Sequence, residues 1–300
     1  MAIQHAALPE VERLSASVIR ILAGNPGKYT LQGTNTYLIG RGPSRLLIDT
    51  GEGLPSWTTH IKALLTSENA TITTALLTHW HYDHVNGVPE LRRICPGVRV
   101  YKNDPDEGDG EEGGQLGIED GQEFRVEEGV TLKAVFTPGH TMDHMAFLLV
   151  EEGAMFTGDN VLGHGTAVFE DLKTYLSSLE KLQHSFSGRA YPGHGAVIED
   201  GKSRIIQYIQ HRQQRENEVL RVLKFGTLAE GKEEGEAAVT KTKDWTPLEL
   251  VKVIYKDVPE SLHLPASQGV AQVLRKLEGE GKVGEDEGTG KWRLNGRSAL

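Results

Sequence analysis

The sequence predicts an α/β protein in which helices cover sheets, followed by a small separate module. Three observations carry that prediction. Short apolar runs such as Val18-Ile19-Arg20-Ile21-Leu22 and Arg45-Leu46-Leu47-Ile48 read as strands. Between them, apolar residues such as Trp57, Ile61, Leu64 and Leu65 recur at helical spacing, and β-α-β alternation of this kind places helices on the faces of sheets. A stretch rich in Gly, Glu, Lys and Thr at 226–243 then interrupts the pattern before a second, shorter set of elements begins.

Three hundred residues suffice for one large domain and an appendage. No apolar run approaches the roughly eighteen residues of a membrane helix, and residues 1–11 lack the basic and apolar regions of a secretory signal. Cys95 is the single cysteine, which excludes an internal disulfide and makes a reducing, cytoplasmic location the expectation. A net charge of −10 disfavours non-specific nucleic-acid binding.

Taken in order, the strand at 18–22 turns through Asn25-Pro26-Gly27 into a β-rich segment over 29–39. The strand from Arg45 ends in a turn at Gly51, where Asp49 either bonds groups beside the next strand's end or caps its own turn. Pro55-Ser56 opens a helix. A strand over 71–77 then runs into Leu77-Thr78-His79-Trp80-His81-Tyr82-Asp83-His84. At a strand end, alternation would point His79 and His81 to one side, while Asp83 and His84 face the same space from the turn beyond. Three imidazoles and a carboxylate in six residues suit one or two borderline metal ions, zinc above all.

A helix over 88–94 and a strand over 98–101 follow. The acidic segment 104–114, with six carboxylates, cannot bury a core and reads as a solvated loop, or else as a loop at a substrate entrance. A second β half starts at Phe124, continues through 131–136, and forms a hairpin over 145–156 joined at Glu151-Glu152-Gly153. Leu172, Tyr175, Leu176, Leu179 and Leu182 mark one helix, and 202–224 a longer one. Beyond 243, Thr246-Pro247 opens a helix as cap and first turn, 270–277 makes another, and Lys282-Val283 with Lys291-Trp292-Arg293-Leu294 forms a β-wing. Arg275 and Lys276 are offset by Glu278 and Glu280, so this winged-helix-like appendage is expected to pack against the larger domain and not to read DNA.

The run at 79–84 resembles the signature of the metallo-β-lactamase superfamily, whose further ligands come from three later loops. His140 in Thr137-Pro138-Gly139-His140-Thr141, Asp159 in Phe156-Thr157-Gly158-Asp159 and His194 in Tyr191-Pro192-Gly193-His194-Gly195 match them. The resemblance, over about residues 10–225, implies an αββα sandwich of two facing sheets with helices outside. It divides the chain into a catalytic domain at 1–225, a linker at 226–243 and a winged-helix-like domain at 244–300. It assigns His79, His81 and His140 to one metal ion, and Asp83, His84 and His194 to a second, with Asp159 bridging both. Two divalent cations so close need a shared anion, and a bridging hydroxide would be the nucleophile. His81 stands where diiron electron-transfer relatives carry a carboxylate, which places the chain with the hydrolases. Asp83 is also a candidate catalytic residue, as is His164, which can touch substrate, act as an acid or simply stabilise its Gly-flanked loop. His144 is expected to orient the loop of His140. His5, His60, His184, His211 and His263 carry no motif.

Within that superfamily, Thr30-Leu31-Gln32-Gly33-Thr34-Asn35-Thr36-Tyr37-Leu38 and Phe169-Glu170-Asp171-Leu172 resemble a lactamase-like group with two kinds of members. One kind comprises fungal thioesterases of polyketide biosynthesis, a part of secondary metabolism. They release aromatic chains from the acyl carrier protein domain of a polyketide synthase. The other comprises mitochondrial single-strand-specific endoribonucleases. The stretches 100–106, 154–165 and 187–191 are more similar to the thioesterases, and His164 stands where the ribonucleases tend to carry an acid. The resemblance therefore implies a hydrolase with two divalent ions, zinc first and manganese second, acting on an acyl thioester. Nucleic acid would be a substrate only in the ribonuclease alternative. A DNA-binding protein with a vestigial metal domain, and a lactam hydrolase, are weaker options.

Overall fold

Strand β2 (Val18–Leu22) is buried at every position, so each of its faces needs an apolar partner. The computed structural model describes residues 7–104, 114–126, 129–228 and 243–296. The chain divides into two units, Met1–Tyr208 and Ile209–Leu300. In the first, β1 (Val11–Arg13), β2, β3 (Asn35–Ile39), β4 (Ser44–Ile48), β5 (Thr71–Leu76), β6 (Arg99–Lys102) and β7 (Gln115–Gly117) lie side by side in chain order. β1 to β4 pair antiparallel, and β4 to β7 parallel. The second sheet runs β12-β11-β10-β9-β8, from β8 (Glu123–Val126), β9 (Val130–Phe136), β10 (Met145–Leu149), β11 (Ala154–Gly158) and β12 (Ala190–Pro192).

Strand alternation sorts the apolar residues between two cores. Val18, Ile39, Leu46 and Ile48 meet Phe124, Leu132, Phe147 and Phe156 between the sheets. Their neighbours Ile19, Leu38 and Leu47 face outward onto Trp57, Ile61 and Leu65 of α1 (Pro55–Ser67). The one-turn α2 (Tyr82–Val85) and then α3 (Val88–Ile94) follow β5, and Leu91 joins that outer core. Phe147→Ala would leave a cavity between the sheets at a cost of about 3–5 kcal/mol.

Asp171 caps α4 (Leu172–Ser185) by accepting from Thr174 N–H at 2.7 Å, and the helix buries Leu172, Tyr175, Leu179 and Leu182. On its buried side the Tyr175 hydroxyl donates to Asn160 O and Ser178 Oγ to Pro138 O, each at 2.6 Å, tying α4 to the loops after β11 and β9. The expected sandwich, with two facing sheets and helices outside, is therefore present. Helix α5 (Gly201–Phe225) begins in the first unit and ends in the second.

The second unit has its own core. In α6 (Pro247–Ile254), Thr246 and Glu249 form a reciprocal capping box, and Leu250, Val251 and Ile254 are buried. α7 (His263–Gly279) buries Val270, Val273, Leu274 and Leu277, and β13 (Val283–Asp286) pairs with β14 (Lys291–Leu294) as the wing. α7 starts seven residues earlier than the expected 270, because His263 Nε2 bonds Tyr255 O and Val258 O and anchors the first turn. Lys276 is engaged by buried Glu216 at 2.6 Å and by Glu280, so it is not displayed for a phosphate. Of the acidic segment 104–114 only its two end residues, and of the expected linker 226–243 only 226–228 and 243, fall within the described residues. Among the described residues no helix is long and apolar enough to cross a membrane.

The segment expected to be β-rich over 29–39 is a strand only from Asn35. Leu31 adopts φ of 57°, which breaks an extended path, and Thr34 forms an isolated bridge with His194.

Candidate metal centre

β5 ends at Leu76, so His79 and His81 do not share a face through strand alternation as expected. The chain leaves the sheet, and His81 becomes the residue that starts α2, with Asp83 and His84 inside that turn. Curvature, and not pleating, brings His79 Nε2 to 2.9 Å from His81 Nδ1. His140, Asp159 and His194 arrive from the loops after β9, β11 and β12. His140 Nε2 lies 3.1 Å from His81 Nδ1. Gly158, at φ of 49°, turns the chain so that Asp159 faces inward.

Two groups result. Donor atoms of His79, His81, His140 and Asp159 lie within 4.8 Å of one another, as do those of Asp83, His84 and His194. Asp159 stands between them: its Oδ2 is 3.2 Å from His194 Nε2 and 3.7 Å from His140 Nε2, and its Oδ1 is 3.6 Å from His84 Nε2. His81 is half-buried and the other six are buried. His164 joins neither group and is exposed. Its loop is nevertheless fixed beside the site, because Gly163 N–H donates to His194 O at 2.9 Å and Gly165 O accepts from Arg204 and Tyr208.

A surrounding layer sets the orientation of these side chains. Asp49 accepts from Thr78 N–H at 2.8 Å, from Thr78 Oγ1 and from His84 Nδ1, so it bonds groups beside the run and does not merely cap its turn. His140 Nδ1 donates to Val168 O at 2.8 Å, and Thr34 Oγ1 donates to Asp83 Oδ2 at 3.0 Å. With Nδ1–H committed outward, His84 and His140 present Nε2 lone pairs inward. Asp159 N–H donates to His144 Nε2 at 3.2 Å, and Nδ1 of the same buried ring lies 2.9 Å from Thr137 Oγ1 and 3.0 Å from Asn160 Nδ2. His144 therefore orients the Asp159 loop as well as its own. Val168 was not legible in the sequence, since a backbone carbonyl leaves no signature.

Electrostatics divides the imidazoles. Burial and the neighbouring histidines hold His79 well below the ordinary value, and lower His81 to about 4. Burial opposes charge on His194 too, yet Asp159 and Asp83 outweigh it and raise His194 to about 9. His84 is raised likewise against burial by Asp49 and Asp159. Burial would raise Asp83 and Asp159, but the imidazoles of His194 and His84 push both far below the carboxylate range. The carboxylates thus demand positive charge, which a proton or a bound cation can supply.

The donor set fits divalent metal ions. Five imidazoles and two carboxylates converge from four loops. Asp159 Oδ1 and His194 Nδ1 are buried without a hydrogen-bond partner, an arrangement that costs stability unless something else meets the carboxylate oxygen. A Cβ at Gly193 would fall on Asp159 Oδ1 and lie 3.0 Å from His84 Cε1, so the closeness of these groups depends on glycine.

Comparison with known proteins agrees with this geometry. Residues 29–194 match the metallo-beta-lactamase superfamily, and residues 246–292 match the beta-lactamase associated winged helix domain. The lactamase-like protein nscB of Aspergillus fumigatus is 49% identical over 285 residues, spanning 94% of this chain and 84% of that one. An Aspergillus chevalieri protein named atrochrysone carboxyl ACP thioesterase is 44% identical over 279 residues, spanning 92% of this chain and 84% of its own. A crystal structure of a beta-lactamase domain protein from Burkholderia ambifaria superposes with a TM-score of 0.74 over 98% of this chain and 96% of that one. At 17% identity it attests the fold alone. With its sandwich, its two His/Asp groups and its appended winged helix, the chain belongs to the metallo-β-lactamase superfamily.

Proposed function

We propose that this chain is a metal-dependent thioesterase that releases an aromatic polyketide acyl group from an acyl carrier protein. The position of Asp159 between two His/Asp groups carries the hydrolase part. The similarity to the atrochrysone carboxyl ACP thioesterase supports the thioester and the carrier protein. His79, His81 and His140 would hold one divalent ion and Asp83, His84 and His194 a second, zinc first and manganese second, with Asp159 shared. Ions there supply a nucleophile at neutral pH by acidifying water, and they polarise the scissile carbonyl.

The chain's own groups do the rest. Asp49, Val168 and Thr34 hold the donors in one orientation. Asp83 contributes negative charge that orients the attacking water. Attack on the carbonyl breaks the C–S bond, and exposed His164, on a loop pinned to His194, gives the departing sulfur its proton. Residues 1–225 form the catalytic domain, 226–243 the linker and 244–300 the winged-helix-like domain. The lone buried Cys95 supports a cytoplasmic site of action.

The test compares an aromatic acyl thioester on a carrier protein with single-stranded RNA at equal enzyme concentration. Thioester hydrolysis that His79→Ala abolishes, with little RNA cleavage, is the expected result. Salt-sensitive RNA cleavage lost in the same variant, without thioester turnover, would replace the proposal with the ribonuclease alternative.

A further inference from the structure

Among the described residues of the first unit, four of the eight large apolar side chains left in water gather beside one His/Asp group. Trp80, Tyr82, Met142 and Val168 are 52%, 59%, 53% and 62% exposed, and all four adjoin the His79, His81 and His140 group. They are linked through the two histidines and the backbone of their loops. The Trp80 ring packs edge-on against His81, with centroids 4.5 Å apart. His81 meets His140, whose Nδ1 donates to Val168 O at 2.8 Å. Met142 N–H donates to Glu170 Oε2 at 3.2 Å, and Glu170 N–H to Gly139 O at 2.8 Å, which ties the 168–170 stretch to the loop carrying His140 and Met142. The loops of the other group are less continuous in apolar surface: around His194 lie Gly193 and Gly195, beside them exposed His164 between Gly163 and Gly165, and against Gly195 the segment of Leu31, where Tyr29 is the exposed aromatic residue.

An exposed tryptophan packed on half-buried His81, with an exposed methionine two residues from His140, is unfavourable in water unless something apolar covers them in use. A flat ring stacked on Trp80 and a thioether at its edge would gain both area and aromatic geometry. We infer that Trp80, Met142 and Val168 form the lip that receives the acyl group of the substrate. It selects bulky aromatic acyl thioesters and places the acyl end over the His79, His81 and His140 side. The sulfur then leaves towards His164. This inference rests on the thioesterase function proposed above and adds the residues that determine its acyl selectivity.

The chain offers a direct probe. Of its four tryptophans, Trp57, Trp245 and Trp292 are only 0%, 9% and 3% exposed, so emission open to acrylamide quenching reports Trp80. The full-length protein is titrated with a non-hydrolysable amide analogue of naphthoyl-pantetheine, then with the acetyl amide. Protection of the quenchable emission by the naphthoyl amide and not by the acetyl amide is expected. In parallel, the ratio of kcat/KM for naphthoyl over acetyl thioesters should fall about tenfold in Trp80→Ala, mainly through KM, and recover in Trp80→Phe.

Binding without protection of Trp80, or no binding, overturns the inference whether or not thioesters are hydrolysed. Failure of hydrolysis together with protection of Trp80 would instead remove the thioesterase function. An equal loss for both substrates, with loss of metal, would make Trp80 a mere support for His81. A raised KM for carrier-protein substrates alone, with the ratio intact, would assign the lip to the carrier protein.

Discussion

Asp49 Oδ2 accepts from His84 Nδ1 at 2.8 Å while Oδ1 of the same carboxylate accepts from Thr78 N–H at 2.8 Å. One side chain therefore fixes both the start of the His-rich run and one of its inner imidazoles. Asp49→Ala frees that ring to rotate, and zinc affinity should weaken about 10–100-fold. Calorimetric titration of the metal-free protein measures this, and an unchanged affinity would show that His84 needs no support.

Two ions per chain are expected by elemental analysis after purification without chelator. Asp159→Ala removes the anion shared by both groups and should cost activity more than the roughly 100-fold seen when an orienting partner is lost. Less than one equivalent in the wild type, with activity indifferent to chelation, would end the binuclear proposal.

Gly193→Ala tests the crowding around that carboxylate. The new Cβ meets Asp159 Oδ1 and the His84 ring, so one of them must move. Metal content should drop while the far-ultraviolet circular dichroism stays native. Full occupancy in this variant would mean that the loop yields without cost to the site.

In the second unit Glu216 is 3% exposed and relies on Lys276 at 2.6 Å, with Lys282 at 3.5 Å. Lys276→Met takes the shorter of these two ion pairs from a buried carboxylate and should destabilise this unit by about 3 kcal/mol. The double variant with Glu216→Leu should lose less. Burial opposes charge on Lys276, but Glu216 and Glu280 raise its pKa above the ordinary value. That stabilisation is complete below the ordinary lysine range and fades as pH rises through the raised value. Denaturant midpoints of the two variants decide the matter, and equal losses would show that the pair contributes only packing.

Much of this was legible because it depends on local chemistry. α1, α3 and the 145–156 hairpin follow apolar spacing, and Thr246-Pro247 gave the start of α6. The seven residues that converge were visible as ligand types, four of them in one short run and three beside glycine. How they converge was not: strand periodicity placed His79 and His81 on one face, whereas the strand had already ended at Leu76. Nor could the sequence choose between two roles for Asp49, since both put a carboxylate at a turn. Leu31 at positive φ, and the Val168 carbonyl on His140, depend on distant segments and leave no periodic trace.

The two His/Asp groups draw on residues far apart in the chain, His84 and His194 being separated by 110 positions. An unfolded chain can offer a cation only the local 79–84 run, so tight binding must await closure of both sheets. Bound ions would then act on the protein's lifetime as well as its chemistry. At a thousandfold excess over the dissociation constant they add about 4 kcal/mol to the native state and shrink the unfolded population that proteases capture. A cell starved of metal would lose the protein itself, and not only its activity.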